Sequence, residues 1–274
     1  HVSLCPFIVF GWWIFPELGV SGAALTNVFS QGAGGAVMLW ILLTGRTRLH
    51  LTLRNFSFDG AAIWRIVKVG LPASITGMER SLANFLLMWF IVPFGTAAVA
   101  AHSLAQRIDV FVHMPAQGLG QASGVLAGQN VGAGQPDRAE RTGWIAAGLF
   151  TMVMSVGSVL IWFFAEDVVR LFNQEPELVE IASTFLRIDI VSYMIFGLVV
   201  VLMNCLNGVG DTTIPMYTTL VTMWLVQIPL AWALPEMTEL GVYGVRWAIV
   251  TAIVMRGVVY AVYFKRGRWR RLTI

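Results

Sequence analysis

Two consecutive apolar runs, each with a carboxylate inside it, constrain the fold of this chain more than any other feature. The first run covers residues 71–93 and contains Glu79, and the second covers residues 97–130 and contains Asp109. About 20 helical residues cross a hydrocarbon core of ~30 Å, so the first run can span a bilayer. A charge at that depth costs on the order of 2.5–3.5 kcal/mol and therefore usually faces protein or water. The pattern indicates a polytopic α-helical membrane protein with polar groups in its middle.

Composition supports a lipid solvent. Hydrophobic residues make up 57% of the chain and charged residues 12%, whereas about 25% of the residues of an ordinary soluble domain are charged. The net charge of +3 does not indicate a nucleic-acid partner, because the basic residues lie in loops between apolar runs, as expected on one side of a membrane. We expect Cys5 and Cys205, both inside apolar runs, to be small core residues rather than a disulfide or metal ligands.

Small residues recur at every fourth position in the second half of the 97–130 run. They are Ala116, Gly120, Gly124, Gly128 and Gly132. A spacing of four places them on one helix face, where the missing side chains let another helix approach closely.

The apolar runs predict one complete helix before a basic connector and six after it. The complete helices cover about residues 19–43, 71–93, 97–130, 137–164, 178–203, 212–234 and 241–264. Residues 59–68 predict a separate amphipathic helix on the membrane surface, and Pro115 and Pro229 predict bends. The resulting domain limits are 1–49 for the end of an N-terminal lobe, 50–70 for the connector and 71–274 for a six-helix lobe.

Charges alternate between successive loops. The basic groups are Arg46, Arg48, Arg54, Arg65 and Lys68 in the connector, Arg138 and Arg141 in a later loop, and Lys265, Arg266, Arg268, Arg270 and Arg271 in the tail. The intervening loops carry Glu17, then Glu166, Asp167, Glu175, Glu177 and Glu180, then Glu236 and Glu239. The positive-inside rule places the basic connector and the C-terminus in the cytoplasm.

An internal repeat connects the two ends of the chain. The hexapeptide ELGVSG at residues 17–22 returns as ELGVYG at residues 239–244, and the same offset of 222 maps Gly45 onto Gly267. A repeat of this length predicts a duplicated six-helix lobe, as in many transporters. The helix over residues 19–43 then ends the first lobe, and we expect the rest of that N-terminal lobe to precede residue 1 and to be a partner of the second.

Four motifs resemble one family over nearly the whole chain. They are GLP at residues 70–72, FGTAAVAAH at 94–102, GQNVGAG at 128–134 and GVGDTTIP at 208–215. They resemble the multidrug and toxic compound extrusion (MATE) transporters. The resemblance implies twelve helices in two lobes in the inner (plasma) membrane, no enzymatic activity and no cofactor. It also implies export of organic cations by alternating access in exchange for sodium ions or protons.

The resemblance also suggests site residues. In the sodium-coupled branch, a glutamate about two turns past the Gly-x-Pro motif serves the cation site, and Glu79 lies close to that position. Tyr193 fits that branch's tyrosine, but the aspartate expected one turn later falls at Phe196 or Gly197. Asp189, one turn earlier, can replace it if it faces the same cavity. The coupling ion therefore stays open.

Charge spacing adds candidates and alternatives. Arg107 precedes Asp109 by two residues, and Arg187 precedes Asp189 by two, so neither pair shares a helix face. Each aspartate therefore needs a partner on another helix, either in an ion pair or in a transport site.

Other polar residues in the spans have less decisive patterns. Gln106 is a candidate lining residue. Arg246 and Arg256 can snorkel, pair or act. His102 and His113 have no third ligand at helical spacing, so we predict no metal site.

Two rival functions remain. A flippase for lipid-linked precursors or polysaccharides would need a wide basic cavity between lobes. A membrane-embedded enzyme such as a prenyl transferase would need clustered carboxylates for magnesium diphosphate, and the sequence has no Asp-Asp-x-x-Asp cluster. We therefore predict secondary active multidrug efflux.

Overall fold

The computed structural model describes residues 4–11, 17–45 and 58–271, which form two compact units divided after Gly60. The helices are α1 (Cys5–Val9), α2 (Gly19–Thr44), α3 (Gly60–Ile91), α4 (Thr96–Gly132), α5 (Pro136–Arg170), α6 (Pro176–Gly208), α7 (Thr213–Val221), α8 (Ile228–Met237) and α9 (Val242–Arg266). Short 3₁₀ turns cover Val92–Phe94 and Arg268–Arg271. The described residues contain no strand, and the all-α prediction is confirmed.

The second unit contains six helical rods of membrane length. A π-helical segment (Thr222–Gln227) joins α7 to α8, so Thr213–Met237 forms one continuous rod of 25 residues. Among the described helices, five are both long and apolar enough to cross a membrane: α2, α5, α6, the Thr213–Met237 rod and α9. At 1.5 Å per residue, α3 and α4 reach about 48 and 56 Å, which is sufficient length, but they are more polar.

The start of α3 differs from the sequence prediction. Residues 59–68 and 71–93 were predicted as separate helices, yet α3 runs from Gly60 to Ile91 with Pro72 inside it. Proline removes one backbone hydrogen bond, and membrane helices tolerate that loss where neighbouring groups compensate for it. The connector residues Arg46, Arg48 and Arg54 lie outside the described residues, and the domain limits stay predictions.

The glycine face of α4 packs directly on α6. A Cβ added at Gly124 would lie 2.5 Å from the carbonyl oxygen of Asn204, and one added at Gly128 would lie 2.5 Å from that of Gly208. Real Cβ atoms essentially never come so close, so only glycine fits at this crossing. Gly132, in contrast, has no atom within 4 Å of an added Cβ. The predicted close approach is thus confirmed along α4 but ends before Gly132.

Gly124→Ala is expected to lower the free energy of unfolding by about 1–3 kcal/mol, because its methyl group overpacks the α4–α6 crossing. The measurement is thermal unfolding of the purified protein in detergent. Gly132→Ala is the matched control, and its stability should equal or slightly exceed that of the wild type, since alanine favours helix. Equal stability of the two variants would contradict the close packing of α4 on α6 at Gly124.

The repeat is visible in backbone geometry. Gly19 and Gly241, at equivalent positions at the helix starts, have φ angles of 50° and 52°. Gly45 and Gly267, directly after α2 and α9, have φ angles of 66° and 67°. These values lie in the left-handed region that favours glycine. The same unusual conformations at the same offset support duplication of this helix.

The helix before each copy is packed in the same way. A Cβ added at Gly22 of α2 would lie 2.8 Å from the carbonyl oxygen of Ile8 in α1. At the equivalent Gly244 of α9, an added Cβ would lie 2.9 Å from the Cβ of Leu234 in α8. In both copies the last helix therefore crosses the preceding helix at a glycine.

Ion pairs at the two ends of the second unit follow the predicted charge alternation. Arg270, beyond α9, lies 2.8 Å from Asp137 at the start of α5 and also pairs with Glu140. At the opposite end of α5, Glu166 lies 3.1 Å from Arg187 of α6. The C-terminal tail and the loop before α5 thus share one end of the unit, as predicted.

Candidate functional site

The core of the second unit consists of two apolar clusters that meet along α6. One cluster contains Phe185 and Leu186, and the other contains Ile190 and Tyr193. Asp189 lies in the sequence between these two pairs and is 2% exposed. A buried charge in such a place needs a partner, and the partner comes from another helix.

That partner is Arg246 of α9. Its Nη1 lies 3.0 Å from Oδ2 of Asp189 and 3.4 Å from Oδ2 of Asp109 on α4. The Tyr193 hydroxyl donates a hydrogen bond to Oδ1 of Asp109. We call Asp109, Asp189, Tyr193 and Arg246 the ion cluster. It brings three of the predicted site residues together, and it adds Arg246.

The ion cluster is closed except at one residue. The side chains of Arg246 and Asp189 are 2% and 3% exposed, whereas that of Asp109 is 19% exposed. The Phe185 ring supports the guanidinium, with its centroid 4.9 Å from Cζ of Arg246, a cation–π contact. Asp109 is therefore the most exposed member of the ion cluster.

The formal charges of the ion cluster do not cancel. Arginine is always protonated in proteins, so Arg246 neutralises one aspartate, and the second leaves a charge of −1 when both are ionised. An uncompensated buried charge is expensive. One proton or one monovalent cation would remove the imbalance.

Glu79 forms a separate site with Arg256 of α9. Nη2 of Arg256 lies 2.8 Å from Oε1 of Glu79, and its Nε donates a 2.6 Å hydrogen bond to Oγ1 of Thr222. The Glu79 and Arg256 side chains are 4% and 18% exposed. The charges of this pair cancel, unlike those of the ion cluster. Glu79 therefore does not join the predicted aspartates.

Thr222 is the first residue of the π-helical segment, and the segment has a clear cause. Pro229 follows its end by two residues, and a proline ring clashes with the carbonyl four residues earlier. Wider π turns relieve such clashes and often occur at functional sites. A π segment thus precedes Pro229, whereas α4 continues as an α-helix through Pro115, and the bends expected at the two prolines stay predictions.

Gln106 connects α4 to α3. Its Nε2 lies 3.5 Å from Oδ1 of Asn84, one turn before Asp109. Near the start of α3, the Thr212 hydroxyl donates a 2.9 Å hydrogen bond to the carbonyl oxygen of Val69. Together with the Glu79 pair, these contacts attach α3 to three different parts of the unit.

The two central histidines pack in the interior. His102 is fully buried. The His113 ring stacks on Phe196 at 3.7 Å between centroids and meets Tyr193 edge-on at 5.6 Å. In the described ranges, no three His, Cys, Asp or Glu side chains lie close enough to hold a metal ion.

The sequence left the roles of Arg246 and Arg256 open, although the repeat contains a signal for them. Their equivalents in α2 are Ala24 and Gly34, and α2 has no charged residue at all. The two arginines are therefore a feature of α9 that its equivalent helix α2 does not share.

Comparison with known proteins identifies the family of this chain. A family model described as MatE matches residues 72–233, more than half of the chain. The chain belongs to the MatE family. The matched region begins inside α3 and ends in α8, so it includes three members of the ion cluster and Glu79. The resemblance drawn from the motifs is thereby confirmed.

Two relatives of this MatE protein are named as probable multidrug resistance proteins. The probable multidrug resistance protein YoeA of Bacillus subtilis is 29% identical over 248 residues, covering 89% of this chain and 54% of that protein. The probable multidrug resistance protein NorM of Thermotoga maritima is 25% identical over 272 residues, covering 97% and 57%. The chain thus spans a little over half the length of these curated relatives.

Solved structures share the fold. A transporter of the MOP superfamily from Pyrococcus furiosus superposes with a TM-score of 0.91 at 23% identity, covering 99% of this chain and 61% of that one. At this identity the likeness concerns the fold alone. Together with the apolar helices, it supports an integral membrane protein of MatE architecture.

Proposed function

We propose that this chain contains the second lobe, and the last helices of the first lobe, of a secondary active exporter. The exporter moves organic cations out of the cell in exchange for sodium ions or protons. Family membership and relatives named multidrug resistance proteins support this function. The observation that carries it is the ion cluster, in which Asp109 and Asp189 share the single cation Arg246.

The charge of −1 explains how exchange would occur. The ion cluster accepts one positive charge at a time. An incoming coupling ion and an outgoing organic cation therefore compete for its one uncompensated negative charge. An ion shifts the balance between inward-open and outward-open states only through different affinity for the two. Asp109 is the exposed entry to the cluster, and its access would change when α3 and α4 move.

The proposal also concerns the N-terminal lobe and the orientation of the protein in the membrane. The complete protein would also contain an N-terminal lobe of the same chain, to which α1 and α2 would contribute the last helices. The lobes would rest in the inner (plasma) membrane, with the basic end that contains Arg270 in the cytoplasm. We expect no cofactor beyond the coupling ion, and no nucleic-acid partner.

The flippase alternative receives less support from the charges. A flippase for anionic lipid-linked precursors needs arginines that face the substrate with their charge uncompensated. Both central arginines of α9 are instead paired with carboxylates, Arg246 in the ion cluster and Arg256 with Glu79. When both aspartates are ionised, the two sites together carry net negative charge, which suits an organic cation.

The test uses the complete reading frame reconstituted into liposomes. A fluorescent lipophilic cation is followed under an imposed sodium gradient and, separately, under an imposed proton gradient. Movement driven by either gradient is the expected result. A folded protein that moves the cation under neither gradient would refute cation antiport and favour the flippase.

A further inference from the structure

The position between Asp109 and Asp189 is already occupied by a cation. Nη1 of Arg246 lies 3.0 and 3.4 Å from one oxygen of each carboxylate. A metal ion between the same carboxylates would lie next to a guanidinium of like charge. Repulsion between like charges is strongest where water is excluded, and the Arg246 side chain is 2% exposed.

The surrounding backbone offers few oxygen ligands. Sodium sites in transporters use carbonyls of unwound helix segments, and hard cations generally take six or more oxygens. Asp109, Asp189 and Arg246 all lie inside continuous α-helices, whose carbonyls accept helical hydrogen bonds. Pro115 frees the carbonyl of Phe111, but residues two apart on a helix face different directions.

A proton needs no coordination shell, because it binds to a carboxylate oxygen itself. Asp109 already accepts a hydrogen bond on each carboxylate oxygen, from the Tyr193 hydroxyl on Oδ1 and from Arg246 on Oδ2. Neither oxygen of Asp189 accepts a hydrogen bond from the described residues, although Arg246 lies within ion-pair distance. Asp189 is therefore the better proton acceptor of the two.

Few other titratable groups compete at this position. Arg246 faces Asp189 from α9, Asp109 faces it from α4, and Tyr193 lies one turn away on α6. His102 of α4 is within electrostatic reach of Arg246. On α5, which also packs on α6, residues 142–165 contain no titratable side chain, and Glu166 pairs with Arg187.

We propose that Asp189 is the proton acceptor of the transport cycle and that Arg246 excludes sodium from the ion cluster. One proton from water binds the Asp189 carboxylate, the formal charge of the cluster changes from −1 to 0, and the same proton returns to water when the organic cation binds. This inference rests on the proposed antiport, and it makes Arg246 the residue that determines ion specificity.

The first experiment measures proton release when an organic cation binds the full-length protein in weakly buffered detergent solution. The wild type is expected to release about one proton, because one carboxyl group changes state. Asp189→Asn, which imitates the protonated form, should release none. Exposed Glu180 of the same helix gives the matched control, Glu180→Gln, which should release as many protons as the wild type. Undiminished release from Asp189→Asn would overturn the proposal.

The second experiment tests specificity at Arg246 with radioactive sodium. Arg246→Gln removes the competing charge and should raise sodium binding roughly tenfold or more, because a strong like-charge repulsion is gone. Arg246→Lys keeps the charge and should bind no more sodium than the wild type. Equal sodium binding by a folded Arg246→Gln protein would overturn the role of Arg246.

Gradient experiments separate this inference from the antiport itself. In liposomes, the wild type should move the lipophilic cation under a proton gradient without sodium. Movement driven by sodium alone at constant pH would retain antiport and overturn proton coupling at Asp189. If neither gradient moves the cation, antiport fails and the inference fails with it.

Discussion

Arg246→Ala is expected to lower the free energy of unfolding by about 3–5 kcal/mol, the usual consequence of removing one partner from a buried ion pair. The reason is that two aspartates lose a common partner, and Asp189 is almost inaccessible to water. The measurement is thermal or denaturant unfolding in detergent at neutral pH. The loss should shrink in acid, because protonation removes the charge of the orphaned carboxylates.

Arg170→Ala is the matched control for that prediction. Arg170 also pairs with a carboxylate, Glu166, at 3.6 Å, but their side chains are 60% and 46% exposed. Exposed pairs contribute about 0–1 kcal/mol, so this variant should unfold almost like the wild type. If the two variants lost the same stability, or if the loss at Arg246 did not depend on pH, the buried cluster would not be the cause.

The parts of the fold that the sequence predicts well are those with a local or periodic cause. The spacing of four between Gly120, Gly124 and Gly128 indicates a close helix crossing without any knowledge of the partner, and the partner proves to be α6. The offset of 222 likewise anticipates the matching φ angles of Gly19 and Gly241. Period and repetition are properties of the chain itself.

The start of α3 shows where local reasoning fails. Gly70 and Pro72 are strong helix breakers in water, so they favoured a boundary between a surface helix and a span. Inside a membrane protein, a broken helix would expose backbone groups to lipid, which is worse than one missing hydrogen bond. The helix therefore continues through both residues.

The sequence alone does not predict which arginine pairs with each buried carboxylate, because the partners lie far apart in the chain. Arg246 and Asp109 are 137 residues apart, and Arg256 and Glu79 are 177 residues apart. Spacing within one helix correctly excluded Arg107 as the partner of Asp109, but it does not select among the remaining arginines. That choice depends on how α9 packs against α4 and α6.

Glu79→Gln is expected to lower the rate of coupled transport strongly while leaving insertion and folding intact. The amide oxygen still accepts the hydrogen bond from Arg256, so the local geometry survives, but the ion pair between α3 and α9 is lost. Hydrogen bonds to charged groups contribute about 1.5–3 kcal/mol, so the rate should fall roughly tenfold or more. The measurement is cation movement into liposomes under both gradients, together with size-exclusion profiles as a test of folding.

The role of Glu79 differs from that of Asp189, and the same variants distinguish the two. The charges of Glu79 and Arg256 cancel, and the pair ties α3 to the π-helical segment through Thr222. Glu79→Gln should therefore keep cation-induced proton release but lose most of the cation movement into liposomes. Asp189→Asn should lose both the proton release and the cation movement. Glu236→Gln, an exposed carboxylate of α8, is the control and should transport normally. If Glu79→Gln transported the cation at the wild-type rate, the ion pair between Glu79 and Arg256 would not be needed for α3 to move. The conformational cycle would then depend on the ion cluster alone.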